Sequence, residues 1–137
     1  MEINSIPASD FMTTELITAT EDQTIQEICK TMSDHDIGSV VVVKRLVGGN
    51  KPIGIITERD IVHQIGSSDL FLAQKPIREV MKYPLVTIAP TASVKEAIEI
   101  MQSENIRRLL VVDKDDRAMG ILTQKDVFKA ISSSDVL

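Results

Sequence analysis

Cysteine, tryptophan and other aromatic residues are scarce in this chain of 137 residues. It contains one cysteine, Cys29, no tryptophan, and only 3% aromatic residues. A single cysteine cannot form an internal disulfide, so the composition does not imply an oxidising compartment. So few aromatic rings provide no obvious platform on which nucleic-acid bases could stack.

Excess positive charge and long apolar runs are also missing. The net charge is −5, which disfavours a protein that coats phosphate backbones. The first residues, "MEINSIPASDF", lack the basic and apolar regions of a secretory signal. The longest apolar run, "VVVV", is far below the ~20 residues of a membrane span. We therefore expect a cytoplasmic protein with no membrane association. The acidic balance makes nucleic-acid binding the weakest of the functions considered.

The sequence does contain an internal repeat. The heptads "GIITERD" (54–60) and "GILTQKD" (120–126) share four of seven positions, including Thr57 with Thr123 and Asp60 with Asp126. Their flanks also align, at an offset of 69 before the central strands and 66 after them. A three-residue insertion between the strands of the first repeat accounts for the change, as a turn tolerates extra length. We predict one repeat over residues 6–66, a linker over 67–78 and a second repeat over 79–132.

Each repeat predicts a strand, a helix, two strands and a second helix. Thr24-x-x-Glu27 and Ser93-x-x-Glu96 are capping boxes for the first helices. Apolar residues follow at helical spacing, and this pattern places Cys29 in the core. One such unit has a sheet face that it cannot bury alone. We therefore predict an α+β fold of two repeats packed sheet to sheet about a pseudo-twofold axis.

The repeated heptad lies where a strand turns into a helix, and two interpretations are open. Thr57 and Asp60, like Thr123 and Asp126, fit an ordinary helix-start box with an acid in the first turn. The same geometry suits a nucleotide, because a helix N-terminus attracts phosphate and a carboxylate can accept both hydroxyls of a ribose diol. The heptad alone does not decide between them.

The heptads together with the order and duplication of the elements resemble a tandem pair of cystathionine β-synthase (CBS) domains, a Bateman module, over residues 6–132. The resemblance implies a stand-alone sensor of adenosyl compounds such as AMP, ADP, ATP or S-adenosylmethionine, with roles in energy sensing and signal transduction. It also implies a homodimer that regulates an enzyme or transporter in trans. No nucleophile–base pair, metal-ligand cluster or P-loop indicates an enzyme.

The resemblance also implies two ligand pockets, each drawing on both repeats. The Asp would hold the ribose, the Thr would lie near the ribose or phosphate, and Met, Ile and Val would line the adenine slot. The first pocket would comprise Thr57, Asp60, Met81, Val86, Arg107 and Arg108. The second would comprise Met12, Ile17, Gly38, Ser39, Thr123, Lys125 and Asp126.

The two predicted pockets differ in charge. The run "NIRRLLVVD" resembles the His-Arg entry to the same strand in the γ subunit of AMP-activated protein kinase, with Arg107 and Arg108 in place of that pair. The first repeat has Gly38 and Ser39 there. We therefore expect phosphorylated ligands to favour the pocket of Asp60. The alternative is a ligand-free scaffold for dimerisation or partner docking, with the arginines as solvated charge.

Overall fold

The computed structural model describes residues 4–66, 71–83 and 85–133, and it confirms the predicted α+β class and the repeated order of elements. The first repeat comprises β1 (Thr18–Ala19), α1 (Ile25–His35), β2 (Ser39–Leu46), β3 (Gly49–Thr57) and α2 (Glu58–Gly66). The second comprises β4 (Thr87–Ile88), α3 (Val94–Glu104), β5 (Arg108–Val112), β6 (Ala118–Thr123) and α4 (Gln124–Ser132).

Each repeat forms its own three-stranded sheet. In the first, β1 is parallel to β2 and β2 is antiparallel to β3, and β4, β5 and β6 repeat this arrangement. The insertion in the first repeat lengthens the β2–β3 hairpin up to the pair of Leu46 with Gly49. Its turn uses Gly48 and Gly49, whose φ angles of 88° and 143° favour glycine.

The chain divides into two compact units, and the division does not follow the order of the repeats. The continuous unit runs from Ile17 to Leu85. The split unit combines the described residues up to Leu16 with those from Val86 onwards. The first segment of the chain therefore belongs in space with the second repeat.

Residues 6–13, which we call the N-terminal strap, are held in the split unit by backbone hydrogen bonds. The N–H of Val94 donates to the carbonyl of Ile6 at 2.8 Å, and the N–H of Ala8 donates to that of Ala92 at 2.7 Å. Thr13 exchanges two hydrogen bonds with Ile121 in β6, at 2.8 and 2.9 Å. The N-terminal strap thus pairs with β6, the strand that carries the glycine of the second heptad.

Residues 75–82, the central strap, make the corresponding contacts in the continuous unit. The N–H of Ile25 donates to the carbonyl of Lys75 at 2.9 Å, and the N–H of Ile77 donates to that of Gln23 at 2.8 Å. Lys82 pairs with Ile55 in β3. Residues 67–70 of the predicted linker lie outside the described residues. Its described part, residues 71–78, contains ordered structure in which Ile77 is fully buried.

Each unit has its own hydrophobic core between its sheet and its helices. The core of the continuous unit includes Ile25, Ile28, Val40, Val42, Ile56 and Ile77. The core of the split unit includes Ile6, Val94, Leu109, Val111, Leu122 and Val127. None of the helices among the described residues combines the length and apolar character that a membrane crossing requires.

The prediction that Cys29 belongs to the core is wrong, because its side chain is exposed. Helix α1 buries Ile25, Ile28 and Met32. Cys29 follows Ile28 and is therefore rotated by about 100° around the helix axis, towards the edge of the apolar face. Partial burial raises the pKa of its thiol, which makes Cys29 a weak nucleophile at neutral pH.

Candidate functional site

Thr57 and Asp60 form a reciprocal cap at the junction of β3 and α2. The backbone N–H of Thr57 donates to Oδ2 of Asp60 at 3.0 Å, and the N–H of Asp60 donates to Oγ1 of Thr57 at 3.2 Å. Asp60 is only 7% exposed. The first heptad thus places a nearly buried carboxylate at a helix N-terminus, as the helix-start interpretation predicts.

Thr123 and Asp126 form the equivalent cap at the start of α4. Oδ2 of Asp126 accepts from the backbone N–H of Thr123 at 2.9 Å and from its hydroxyl at 3.0 Å. The N–H of Asp126 donates to Oγ1 of Thr123 at 3.3 Å. Asp126 is also 7% exposed, so the two caps are equally shielded from solvent.

The glycine that opens each heptad makes room for a strap. A Cβ on Gly54 would lie 2.6 Å from Sδ of Met81, and a Cβ on Gly120 would lie 2.8 Å from Sδ of Met12. The thioether of each strap therefore packs against the heptad of its unit. The sequence showed that the glycine is repeated. It did not show that the close contact with a strap is the reason for a glycine at this position.

The structure places part of the predicted first pocket in one unit. Thr57, Asp60 and Met81 belong to the continuous unit, where Met81 contacts the strand that leads to Thr57. Val86, Arg107 and Arg108 belong to the split unit. The structure thus groups three of the six residues, and their grouping with the other three stays a prediction.

The predicted second pocket is divided in the same way. Met12, Thr123, Lys125 and Asp126 belong to the split unit, and Ile17, Gly38 and Ser39 belong to the continuous unit. Lys125 is exposed in the first turn of α4.

Within each unit, the start of the central strand lies beside the heptad of the same repeat. Arg108 is paired with Thr123 across β5 and β6, and Ser39 is paired with Thr57 across β2 and β3. Side chains of directly paired residues lie on the same face of a sheet. Arg108 therefore adjoins the helix start of its own repeat, a proximity that sequence reasoning did not predict.

Lys82 is a charged neighbour of the site that sequence reasoning missed. Its Nζ lies 3.1 Å from Oδ1 of Asp60, and its side chain is 72% exposed. The alignment at an offset of 69 places Lys82 opposite Thr13, so a difference in charge between the straps was visible in the sequence. In the described part of the chain, no ion pair involves Asp126.

A concave pocket of about 460 Å³ adjoins Met81 within the continuous unit. Its volume falls within the range of small-molecule sites, roughly 300–1,000 Å³. Among its lining residues, Met81 alone was predicted to bind ligand. The lining comprises Glu21, Lys44, Ile53, Arg78, Glu79, Met81 and Tyr83. Over the ranges that the structure describes, no group of three or more acidic, histidine or cysteine side chains is placed to hold a metal ion.

Comparison with known proteins identifies the family. The sequence profile of the CBS domain matches residues 8–67 and 77–133, so that each match contains one heptad. The chain belongs to the CBS domain family. The two Thr–Asp caps, each with a buried carboxylate, are therefore corresponding features of two CBS repeats.

Proteins of known sequence or structure are similar to this chain over most of its length. The CBS domain-containing protein YhcV of Bacillus subtilis is 36% identical over 86% of this chain and 80% of its own length. An uncharacterized protein of Methanopyrus kandleri, MK0525, is 34% identical over 93% of this chain, which spans 63% of that relative's length. The crystal structure of the CBS domain pair of protein MJ0100, in complex with 5′-methylthioadenosine and S-adenosyl-L-methionine, is similar with a TM-score of 0.79. It is 28% identical, over 91% of this chain and 98% of that one.

Proposed function

We propose that the chain is a regulatory module that senses adenine nucleotides or other adenosyl compounds, such as AMP, ADP, ATP or S-adenosylmethionine. The observation that carries the proposal is the pair of carboxylates, Asp60 and Asp126, each 7% exposed at the N-terminus of a helix. The MJ0100 pair supports it, because both of its ligands contain an adenosyl group.

Each CBS repeat supplies chemistry that suits such a ligand. The carboxylates offer acceptors for the hydroxyls of a ribose diol. The helix N-termini attract a phosphate or carboxylate through their backbone N–H groups. Met12 and Met81 are half-buried and provide an adaptable apolar surface for an adenine ring. These features support the proposal of one nucleoside-sized ligand at each heptad.

The proposed action is regulation rather than catalysis. We propose that residues 6–132 act as one Bateman module in the cytoplasm and that ligand binding changes the activity of an enzyme or transporter in trans. The ligand biases a partner's conformation only if its affinity differs between two states of the module.

A thermal-shift screen tests ligand binding directly. AMP, ADP, ATP, S-adenosylmethionine, 5′-methylthioadenosine and NAD would each be added at millimolar concentration. A ligand at about 100 times its Kd stabilises the fold by ~2.7 kcal/mol. The matched control is the double variant Asp60→Asn with Asp126→Asn, which keeps the size of both side chains and should lose the shift. No shift from any compound would contradict the proposal.

A second candidate function is that of a ligand-free scaffold for dimerisation or partner docking. Three large apolar side chains favour it: Val62 and Ile65 on α2 are 65% and 60% exposed, and Phe128 on α4 is 76% exposed. Under this alternative, both Asp–Thr pairs only start helices. Self-association without any thermal shift would favour the scaffold.

A further inference from the structure

The two CBS repeats differ in charge at a single strap position that adjoins the heptad. Lys82 of the central strap follows Met81 and pairs with Ile55. Thr13 of the N-terminal strap follows Met12 and pairs with Ile121 in the same way. One strap thus carries an ammonium group where the other carries an uncharged hydroxyl.

The two carboxylates also differ in their hydrogen-bond and ion-pair partners. Oδ2 of Asp60 accepts from the N–H of Thr57, and its Oδ1 lies 3.1 Å from Nζ of Lys82. Asp126 instead directs Oδ2 at both the N–H and the hydroxyl of Thr123. Over the described residues, no hydrogen bond or ion pair to Oδ1 of Asp126 is found. That oxygen keeps its acceptor capacity for an incoming hydroxyl.

We propose that Lys82 makes the two sites unequal by occupying the oxygen of Asp60 that a ribose diol needs, so that a neutral nucleoside binds first at Asp126. The inference rests on the proposed function, because it assumes that each carboxylate holds a ribose. It assigns Lys82 the role of a residue that determines specificity at the site of Asp60.

The expected size of the effect follows from the burial of the two groups. Asp60 is nearly buried whereas the side chain of Lys82 is 72% exposed, so solvent screens the ion pair. Ion pairs with an exposed member contribute ~0.2–1 kcal/mol. The near burial of Asp60 favours the upper end of this range, which corresponds to about a fivefold change in Kd. Neutral adenosine should therefore bind about fivefold more weakly at Asp60 than it would without Lys82.

Calorimetric titration with adenosine tests the inference, with each site isolated in turn. The variant Asp126→Asn leaves the site of Asp60 intact, and Asp60→Asn leaves that of Asp126. In the first background, Lys82→Thr should tighten adenosine binding about fivefold. Lys82→Arg is the matched control: it keeps the positive charge beside Asp60 and should not give this gain in affinity.

The reciprocal substitution provides an independent check. Thr13→Lys in the Asp60→Asn background introduces the ammonium group beside Asp126 and should weaken adenosine binding about fivefold. Both changes affect exposed strap residues. Thermal melting is the check that each variant folds.

The outcomes separate the inference from the proposed function. If adenosine binds and Lys82→Thr leaves its affinity unchanged or weakens it, the inference is wrong while the proposed function stands. If neither adenosine nor any other adenosyl compound binds to the unmodified protein or to either single-site variant, both are wrong.

Discussion

Met81 packs its thioether so closely against Gly54 that a Cβ on that glycine would lie 2.6 Å from the sulfur. Met12 and Gly120 repeat the relationship in the other unit, where the carbonyl oxygen of Thr13 also lies 2.8 Å from the same Cβ position. A side chain can rotate away from such a clash, but a hydrogen-bonded strap cannot easily move. The two glycines should therefore differ in their tolerance of substitution.

Gly120→Ala should destabilise the protein by about 1–3 kcal/mol, the usual cost of overpacking. Gly54→Ala should cost less, because its nearest backbone atom, the carbonyl oxygen of Lys82, is 3.2 Å from the added carbon. Urea denaturation measures both effects. Gly66→Ala is the control, since no atom lies within 4 Å of its Cβ position. Equal costs at all three glycines would contradict the prediction.

Glu27→Ala should destabilise the protein by about 0.5 kcal/mol, whereas Glu96→Ala should have a smaller effect. Oε1 of Glu27 accepts from the N–H of Thr24 at 3.3 Å, which completes a capping box at α1. At α3 the N–H of Glu96 donates to Ser93, but the described structure shows no return bond from the Glu96 side chain. Thermal melting of the two variants compares them. A larger loss at Glu96 would refute the assignment of the caps.

Arg108→Ala should weaken the binding of AMP about ten- to a hundredfold and that of adenosine much less. A guanidinium group bonds phosphate in a bidentate manner. Losing a hydrogen bond to a charged group costs about 1.5–3 kcal/mol, which corresponds to about ten- to a hundredfold in Kd. We expect this loss of AMP affinity when Arg108→Ala is combined with Asp126→Asn, which retains the site of Asp60, as the CBS resemblance implies. If AMP affinity falls only when Arg108→Ala is combined with Asp60→Asn, which retains the site of Asp126, the loss follows the pairing of Arg108 with Thr123 instead.

Lys114→Ala is the control for Arg108→Ala, because it removes one positive charge from an exposed turn of the same repeat. Calorimetry with AMP and adenosine should show no change for this variant. An unchanged AMP affinity in Arg108→Ala would mean that the arginine is only surface charge.

A homodimer is expected at tens of micromolar, because soluble oligomers usually pair about a twofold axis and exposed apolar patches mark such interfaces. Phe128 is 76% exposed, so Phe128→Asp should shift the mass from dimer towards monomer without unfolding the chain. Light scattering measures the mass. The equally drastic change Val47→Asp, at a 98% exposed hairpin position, serves as the comparison. A monomer for the unmodified protein would contradict the prediction.

The elements of the fold were readable from the sequence because their signals are local. Thr57 and Asp60 mark a helix start through residues three apart, and the repetition at Thr123 and Asp126 confirms the pattern. Cys29 shows the limit of periodicity, since a position beside the buried face matches the helical pattern but is exposed.

The straps could not be predicted, because their partners are distant in sequence and the hydrogen bonds that hold them to their sheets join backbone groups. Pro7 pairs with Ser93, and nothing in either residue type indicates the other. Lys82 was overlooked for the same reason: its pairing with Ile55 is what brings it to Asp60. Only the comparison of aligned strap positions could have singled it out.

The sequence positions of the contacts in the split unit also predict the order in which the two units fold. The continuous unit uses neighbouring stretches of chain, so the loops that it must close are short. The split unit joins Ile6 and Ala8 to residues beyond position 90, and its contacts therefore require a much longer loop to close. Contacts between distant residues slow folding, and a chain emerging from the ribosome presents its N-terminal segment first. We expect the N-terminal strap to remain without its hydrogen-bond partners until residues 92–94 and strand β6 have been synthesised.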